Sequence, residues 1–370
     1  MPSKHLKSSG IPGTNVEFTY TDSGLPNGAH SYTTLILVHG HTFHAGVFRK
    51  LQLLAAAEGS ARIICINRRE YEGSTIYSPP ERAVFKDKNQ GSATDAQRLA
   101  LLETEGLHLA YCISNIIEQC ALPADVALVG WSLGNTFTRA AMVSITSDLL
   151  EEDRKKILGA HVTLFILWDP PSHALGIESP PPPHGYVPLL DKDLAPEQRG
   201  LVFGTWVASF FEHPAYKTKP AVHKADQLLY RIEEAKKPPT FHDTPLPELL
   251  ALTNFAVGGI SDTAITEPCF IPAVQEIIDR ALFDTATREA WTLGGERAAV
   301  KVAYICTEAS SWNIPWAMWD IQHRIEKAND KELSIAFYSI PNANHFFMWE
   351  DPKRALASLM ECIKVRVGTT

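Results

Sequence analysis

The chain has 370 residues, 45% hydrophobic and 21% charged, enough to build a sizeable core and too apolar for a disordered chain. Its 34 Lys and Arg against 42 Asp and Glu leave a formal charge of -8 without a basic run, which argues against a nucleic-acid partner, since such binding rests on cations that neutralise phosphates. There is no run of about 18 apolar residues to span a membrane, residues 1–14 lack the apolar stretch of a signal peptide, and the ending Val-Gly-Thr-Thr is neither a lipidation nor a retention signal, so a cytoplasmic protein of one or two domains is expected.

A short edge strand is expected at 16–21. Continuous apolar runs at 33–38 (TTLILV), 62–67 (RIICIN), 126–129 (VALV) and 162–168 (VTLFILW) read as strands covered on both faces, as in a parallel sheet. Between the second and third of these lies 93–120, with Leu99, Leu102, Leu107, Ala110, Ile113 and Ile117 at broadly helical intervals. This alternation predicts an α/β fold with a doubly wound sheet. Seven prolines then fall between 169 and 188, where neither a helix interior nor a central strand can persist. Helices are expected at 197–211, 221–236, 247–255 and 272–292 with no buried strand among them, which reads as a helical lid at 173–297 inserted into a core of 1–172 and 298–370. Strands return at 301–306 and 333–340 around a helix near 316–328, and a helix at 352–365 closes the chain. The six cysteines show no metal-ligand spacing and read as reduced, mostly buried thiols.

The sharpest chemical signal is Gly130-Trp131-Ser132-Leu133-Gly134, directly after an apolar strand and before the helical stretch 135–145. A serine at such a turn takes a strained backbone conformation, small neighbours permit close chain approach, and the hydroxyl projects above the sheet near the positive end of a helix. A hydroxyl attacks only when a base removes its proton. His345, in the loop after the last strand, is the candidate, because that loop returns to the carboxyl edge of the sheet where open α/β sheets place their sites. The spacing His39-x-His41-x-x-His44 invites a metal, but no carboxylate follows in the loop through Phe48, so no metal is expected. In the expected helix 197–211, Trp206, Phe210 and Phe211 share a face. Core packing and an apolar pocket are both open for them, as for Trp312, Trp316 and Trp319.

The segments HGH (39–41), NRREYEGS (67–74), GWSLG (130–134) and NANHFF (342–347) together resemble the lid-bearing α/β-hydrolases over nearly the whole chain. NRREYEGST with LWDPP resembles, more narrowly, a group of fungal α/β-hydrolase-like proteins, several associated with secondary metabolism. The resemblance implies the α/β-hydrolase fold, a mostly parallel sheet of about eight strands with an inserted helical lid, a small-molecule substrate and no cofactor. It implies Ser132 as nucleophile, His345 as base, and an acid that orients the histidine. Two positions compete for the acid: Asp169, at the tip of the strand ahead of the prolines, is favoured, with Glu308 in the loop after the next-to-last strand as the alternative. The implied oxyanion hole is the amides of His41 and Leu133. Trp131, Trp206, Phe210 and Phe346 are candidate pocket residues, and Arg68, Arg69, Tyr71, Gly73 and Ser74 resemble a structural turn. The expected activity is hydrolysis of an ester, lactone or thioester of a fairly apolar small molecule. A non-hydrolytic biosynthetic enzyme that cyclises, cleaves carbon–carbon bonds or transfers acyl groups, and a non-catalytic ligand-binding protein, stay open.

Overall fold

The computed structural model of the chain describes residues 6–28, 31–59, 61–86, 93–232, 236–292, 300–328, 330 and 333–364. Eight strands form one sheet: β1 (Lys7–Gly10), β2 (Glu17–Asp22), β3 (Thr33–Val38), β4 (Ala61–Asn67), β5 (Val126–Trp131), β6 (Val162–Trp168), β7 (Lys301–Thr307) and β8 (Ile335–Ile340). Their order is β1-β2-β4-β3-β5-β6-β7-β8, antiparallel over β1, β2 and β4 and parallel from there on. Every residue of β3, β4 and β5 is buried, which is why these strands read as unbroken apolar runs. β1, a polar KSSG edge strand, has no such pattern and was not expected.

Helices flank the sheet. Those used below are α1 (Arg49–Glu58), α2 (Asp95–Gln119), α3 (Gly134–Val143), α4 (Glu152–His161), α5 (Pro196–Val207), α6 (Ile271–Leu282), α7 (Asn313–Ala328) and α8 (Pro352–Lys364). α2 begins in a capping box, with Thr94 Oγ1 accepting from Gln97 N and Gln97 Oε1 accepting from Thr94 N. α1 and α4, which no motif announced, pack against α8 and α2 respectively. Among the described residues, no helix is long and apolar enough to cross a membrane. The cysteines carry no disulfide, and all but Cys120 are buried.

The segment between β6 and β7 departs most from expectation. The helix expected at 197–211 stops at Val207, and the one expected at 247–255 shrinks to Leu246–Leu250. That at 272–292 is split into α6 and Thr285–Ala290, because Asp284 caps the second piece through Thr287 N. At 221–236 there is a single turn, Ala225–Gln227, and no helix among the described residues. Tertiary partners take the backbone groups a helix would use: Leu229 N donates to His213 Nδ1 at 2.9 Å, and Tyr230 O accepts from Trp206 Nε1 at 2.9 Å. α6 buries Val274, Ile277, Ile278 and Ala281 against α2 and α3. The expected boundary at 297/298 lies outside the described residues.

Candidate active site

The register of the sheet gathers the candidates. Val38 pairs with Gly130, Trp131 with Trp168 and Trp168 with Ile305, so His39-Gly40, Ser132, Asp169 and Thr307 leave neighbouring strands at one carboxyl edge. The order reverses there, β3 standing between β4 and β5, which is where open α/β sheets form their crevice.

Ser132 occupies the turn between β5 and α3 with φ of 55°, a left-handed conformation that strains any residue with a Cβ. Ser132 N donates to Trp168 O at 2.9 Å and Asn135 Nδ2 donates to Ser132 O at 2.9 Å, which hold the turn. Two glycines permit the crowding. A Cβ on Gly134 would sit 2.2 Å from Val38 O. One on Gly40 would sit 2.9 Å from Ser132 Oγ and 3.3 Å from Leu133 N, so the bare glycine lets the 39–41 turn close on both the hydroxyl and that amide.

His345 is carried against this turn by Trp131. The indole Nε1 donates to His345 O at 3.1 Å, and the two rings stack with centroids 4.7 Å apart. Asp169 meets the imidazole at Nδ1. Its Oδ2 is 2.9 Å from His345 Nδ1, and the same oxygen accepts from Thr307 Oγ1 at 2.6 Å and Ser310 Oγ at 2.7 Å. Oδ1 accepts from Thr307 N at 2.7 Å. The carboxylate is fully buried, where an ionised group needs this many donors. Asp169 itself has φ of 49°, a second strained residue at the site. Glu308 is elsewhere: Oε1 accepts from Ser339 Oγ at 2.7 Å, at an exposed position. Thr307 and Ser310 were not singled out in the sequence. They lie at the end of β7 and just beyond it, in the loop that holds Glu308, and supply hydroxyls to the aspartate of β6.

The turn that follows β3 is fixed by a buried network. His39 Nε2 accepts from Arg68 N at 3.0 Å, which leaves Nδ1–H to donate to Gly40 O at 2.9 Å. Both ring nitrogens are therefore used, and His39 has no lone pair for a metal. Arg68 donates from Nε to His39 O and from Nη2 to Gly40 O, and it grips Asp262 in a two-point pair of 3.0 and 2.6 Å. Tyr71 Oη donates to Asp262 Oδ2 at 2.5 Å and accepts from Thr42 N at 2.9 Å, next to the strained φ of 66° at Thr42. Burial alone would raise the Asp262 pKa, but the Arg68 charge and these hydrogen bonds bring it below the ordinary value. Asp262 comes from the segment between β6 and β7 and was missed, since nothing in its neighbourhood marks it. The segment also meets the turn through Asn254 N to Thr42 O and His44 N to Leu252 O. His41 donates or accepts at Thr42 Oγ1 (2.7 Å) and Thr263 Oγ1 (3.0 Å), and it lines a cavity of about 760 Å³ with Phe85, Leu189 and Phe255.

The other pocket candidates are placed differently. Phe346 packs between Phe43, Phe241 and Trp131, and Trp206 packs on Phe211. Phe210 lies beyond the end of α5, half-buried, with Lys237 Nζ 3.7 Å above its ring, so it does not share the helical face expected of it. Trp312 is fully buried, and Trp319 stacks on His223.

Burial depresses four imidazoles here: His39 well below its ordinary value, His41 and His213 to about 4, and His173 to about 3. In the unfolded chain these rings take protons below about 6.5, while the folded protein refuses them until far lower pH. Their contribution to stability is therefore complete above pH 6.5 and declines as the pH falls toward 4. Urea midpoints measured at pH 7, 5.5 and 4.5 should fall in that order, and a flat profile would show that the rings are not held neutral.

The model of a family described as the alpha/beta hydrolase family matches residues 35–359. A search of curated proteins finds no match. Among solved structures, a bromoperoxidase from Bacillus anthracis aligns at TM-score 0.50 and 14% identity, covering 97% of this chain and 99% of its own. An esterase from Thermogutta terrifontis aligns at 0.44 and 15% (96% and 97% covered), and the Cif epoxide hydrolase from Acinetobacter nosocomialis at 0.49 and 12% (96% and 88% covered). Of these three the bromoperoxidase alone reaches a TM-score of 0.50, and at 14% identity it speaks to the fold and nothing further. The family match spans strand β3 to helix α8, taking in the serine turn, Asp169 and His345, and on that ground the chain belongs to the α/β hydrolase family.

Proposed function

We propose that the protein is a serine hydrolase acting on an ester, lactone or thioester of a fairly apolar small molecule. The observation that carries this reading is the continuous path from the strained Ser132 turn through Trp131 to His345, and from His345 Nδ1 to the buried Asp169 carboxylate. With Nδ1–H directed at Asp169, the lone pair of Nε2 is left for the Ser132 hydroxyl proton. Ser132 Oγ adds to the carbonyl carbon, and the amides of His41 and Leu133 receive the developing oxyanion. The imidazolium returns its proton to the leaving oxygen or sulfur. His345 then deprotonates a water, which releases the acid and frees Ser132, while Asp169 remains ionised throughout. The segment 173–297 acts as a lid in this reading, supported by its contacts to the 39–44 turn through Asn254, Leu252 and Asp262.

Turnover of an activated ester in ¹⁸O-labelled water tests it. One labelled oxygen should enter the acid product, and Ser132→Ala should lower the rate on the order of 10⁵–10⁶-fold. Full turnover by a folded Ser132→Ala protein would exclude the serine as nucleophile.

A further inference from the structure

Four residues after the acid comes an imidazole that the mechanism above does not use. His173 follows Asp169-Pro170-Pro171 in the short helical turn Ser172–Leu175, which is tied to α3 by Thr136 Oγ1 donating to Ala174 O at 3.0 Å. The residue is half-buried and lines a cavity of about 460 Å³. Among the described residues, no hydrogen bond takes up its nitrogens. Thr136 follows Ser132 by four residues, so the turn that carries His173 lies against the first turn of α3, next to the serine turn. The loop that hydrogen-bonds Asp169 also contributes: Trp312 and Asn313 follow Ser310 by two and three residues and line the same space. Asn313 Oδ1 accepts from Ser311 Oγ at 2.7 Å, which turns the amide so that its NH₂ is the end left for a ligand. Trp312 is fixed by Nε1 donating to Tyr186 O at 2.7 Å.

The chemistry of this space is selective. An imidazole and a primary amide offer hydrogen bonds from neutral groups, and the indole offers an apolar face. Glu178 stands exposed on the rim, where its charge disfavours an anion. We propose that His173 is a substrate-binding residue which, with Asn313, holds an uncharged, oxygen-bearing ring or chain of the substrate in this cavity. This deepens the serine-hydrolase reading and rests on it for the identity of the reacting end, but the binding itself needs no chemistry. His173 is kept neutral by burial well below physiological pH, so the contact persists across the working range.

The test uses the 370-residue Ser132→Ala protein and three probes of similar shape followed by ligand-observed NMR titration: acetophenone, its hydrocarbon counterpart cumene, and benzoate. Acetophenone should bind more tightly than either of the others. His173→Leu should raise its Kd about tenfold while leaving cumene unchanged, and His173→Gln, which can still hydrogen-bond, should restore most of the loss. Asn313→Leu should act in the same direction and stands in if His173→Leu does not fold. Equal effects of these substitutions on acetophenone and cumene, no effect on either, or benzoate binding as tightly as acetophenone would overturn the proposal. Fluorophosphonate labelling of the wild-type serine is scored separately: its absence would count against the hydrolase reading and not against the binding site.

Discussion

Asp169→Asn is expected to lower the turnover of an activated ester by about 10⁴-fold, the size of effect that follows when a base histidine is left in the wrong tautomer. The substitution preserves shape. What changes is which end of the side chain faces the imidazole. Oδ1 of the wild-type carboxylate accepts from Thr307 N, a backbone donor that cannot turn away. The asparagine oxygen is therefore drawn to that amide, and its NH₂ is directed at His345 Nδ1. The ring then accepts at Nδ1 and carries its proton on Nε2, where a lone pair is required. The second amide proton goes to one of Thr307 Oγ1 and Ser310 Oγ, and the two hydroxyls lie 2.5 Å apart, so the other can donate to its neighbour and the fold should survive, as circular dichroism would verify. Glu308→Gln should leave turnover within about twofold, because the side chain it alters bonds to Ser339. The opposite pair of results would move the acid to Glu308.

The largest effect on stability is expected at Asp262. Arg68 is buried beside it, with side-chain exposures of 4% and 0%, and the pair closes over the His39-Gly40 turn. Asp262→Ala leaves a buried guanidinium without its counter-charge and Tyr71 Oη without its acceptor. Breaking a buried pair in this way costs about 3–5 kcal/mol, well beyond what an exposed ion pair contributes. Urea unfolding should report that loss as a lowered midpoint. Activity should fall with it, because Arg68 and Tyr71 fix Gly40 O and Thr42 N on either side of His41, whose amide is assigned to the oxyanion. A change below about 1 kcal/mol would mean that the pair is not closed in solution.

What the sequence disclosed and what it withheld divide along a physical line. Strands β3 to β7 were readable because burial on both faces leaves no polar alternation. The Ser132 turn was readable because its backbone demands small neighbours at fixed spacing. Both properties are local. The acid was left between Asp169 and Glu308 because the difference lies across the sheet, in the Thr307 and Ser310 donors that β7 brings to β6. Asp262 was invisible for the same reason: its partners, Arg68 and Tyr71, precede it by 194 and 191 residues. The β6–β7 segment was read poorly since short helices there yield to tertiary hydrogen bonds, as at Leu229 and Tyr230. The split after Leu282 was more accessible, because Asp284-Thr285-Ala286-Thr287 carries a helix-start signal.

The central claim is that Ser132 is a nucleophile activated by His345. Intact-protein mass spectrometry after exposure to a fluorophosphonate tests it most directly, with Ser132→Ala and His345→Ala proteins treated alongside. The expected result is one adduct, mapped to Ser132, absent from the Ser132→Ala protein and strongly slowed in the His345→Ala protein. A folded wild-type protein that takes no adduct, or an adduct on Ser132 that forms equally fast without His345, would contradict it.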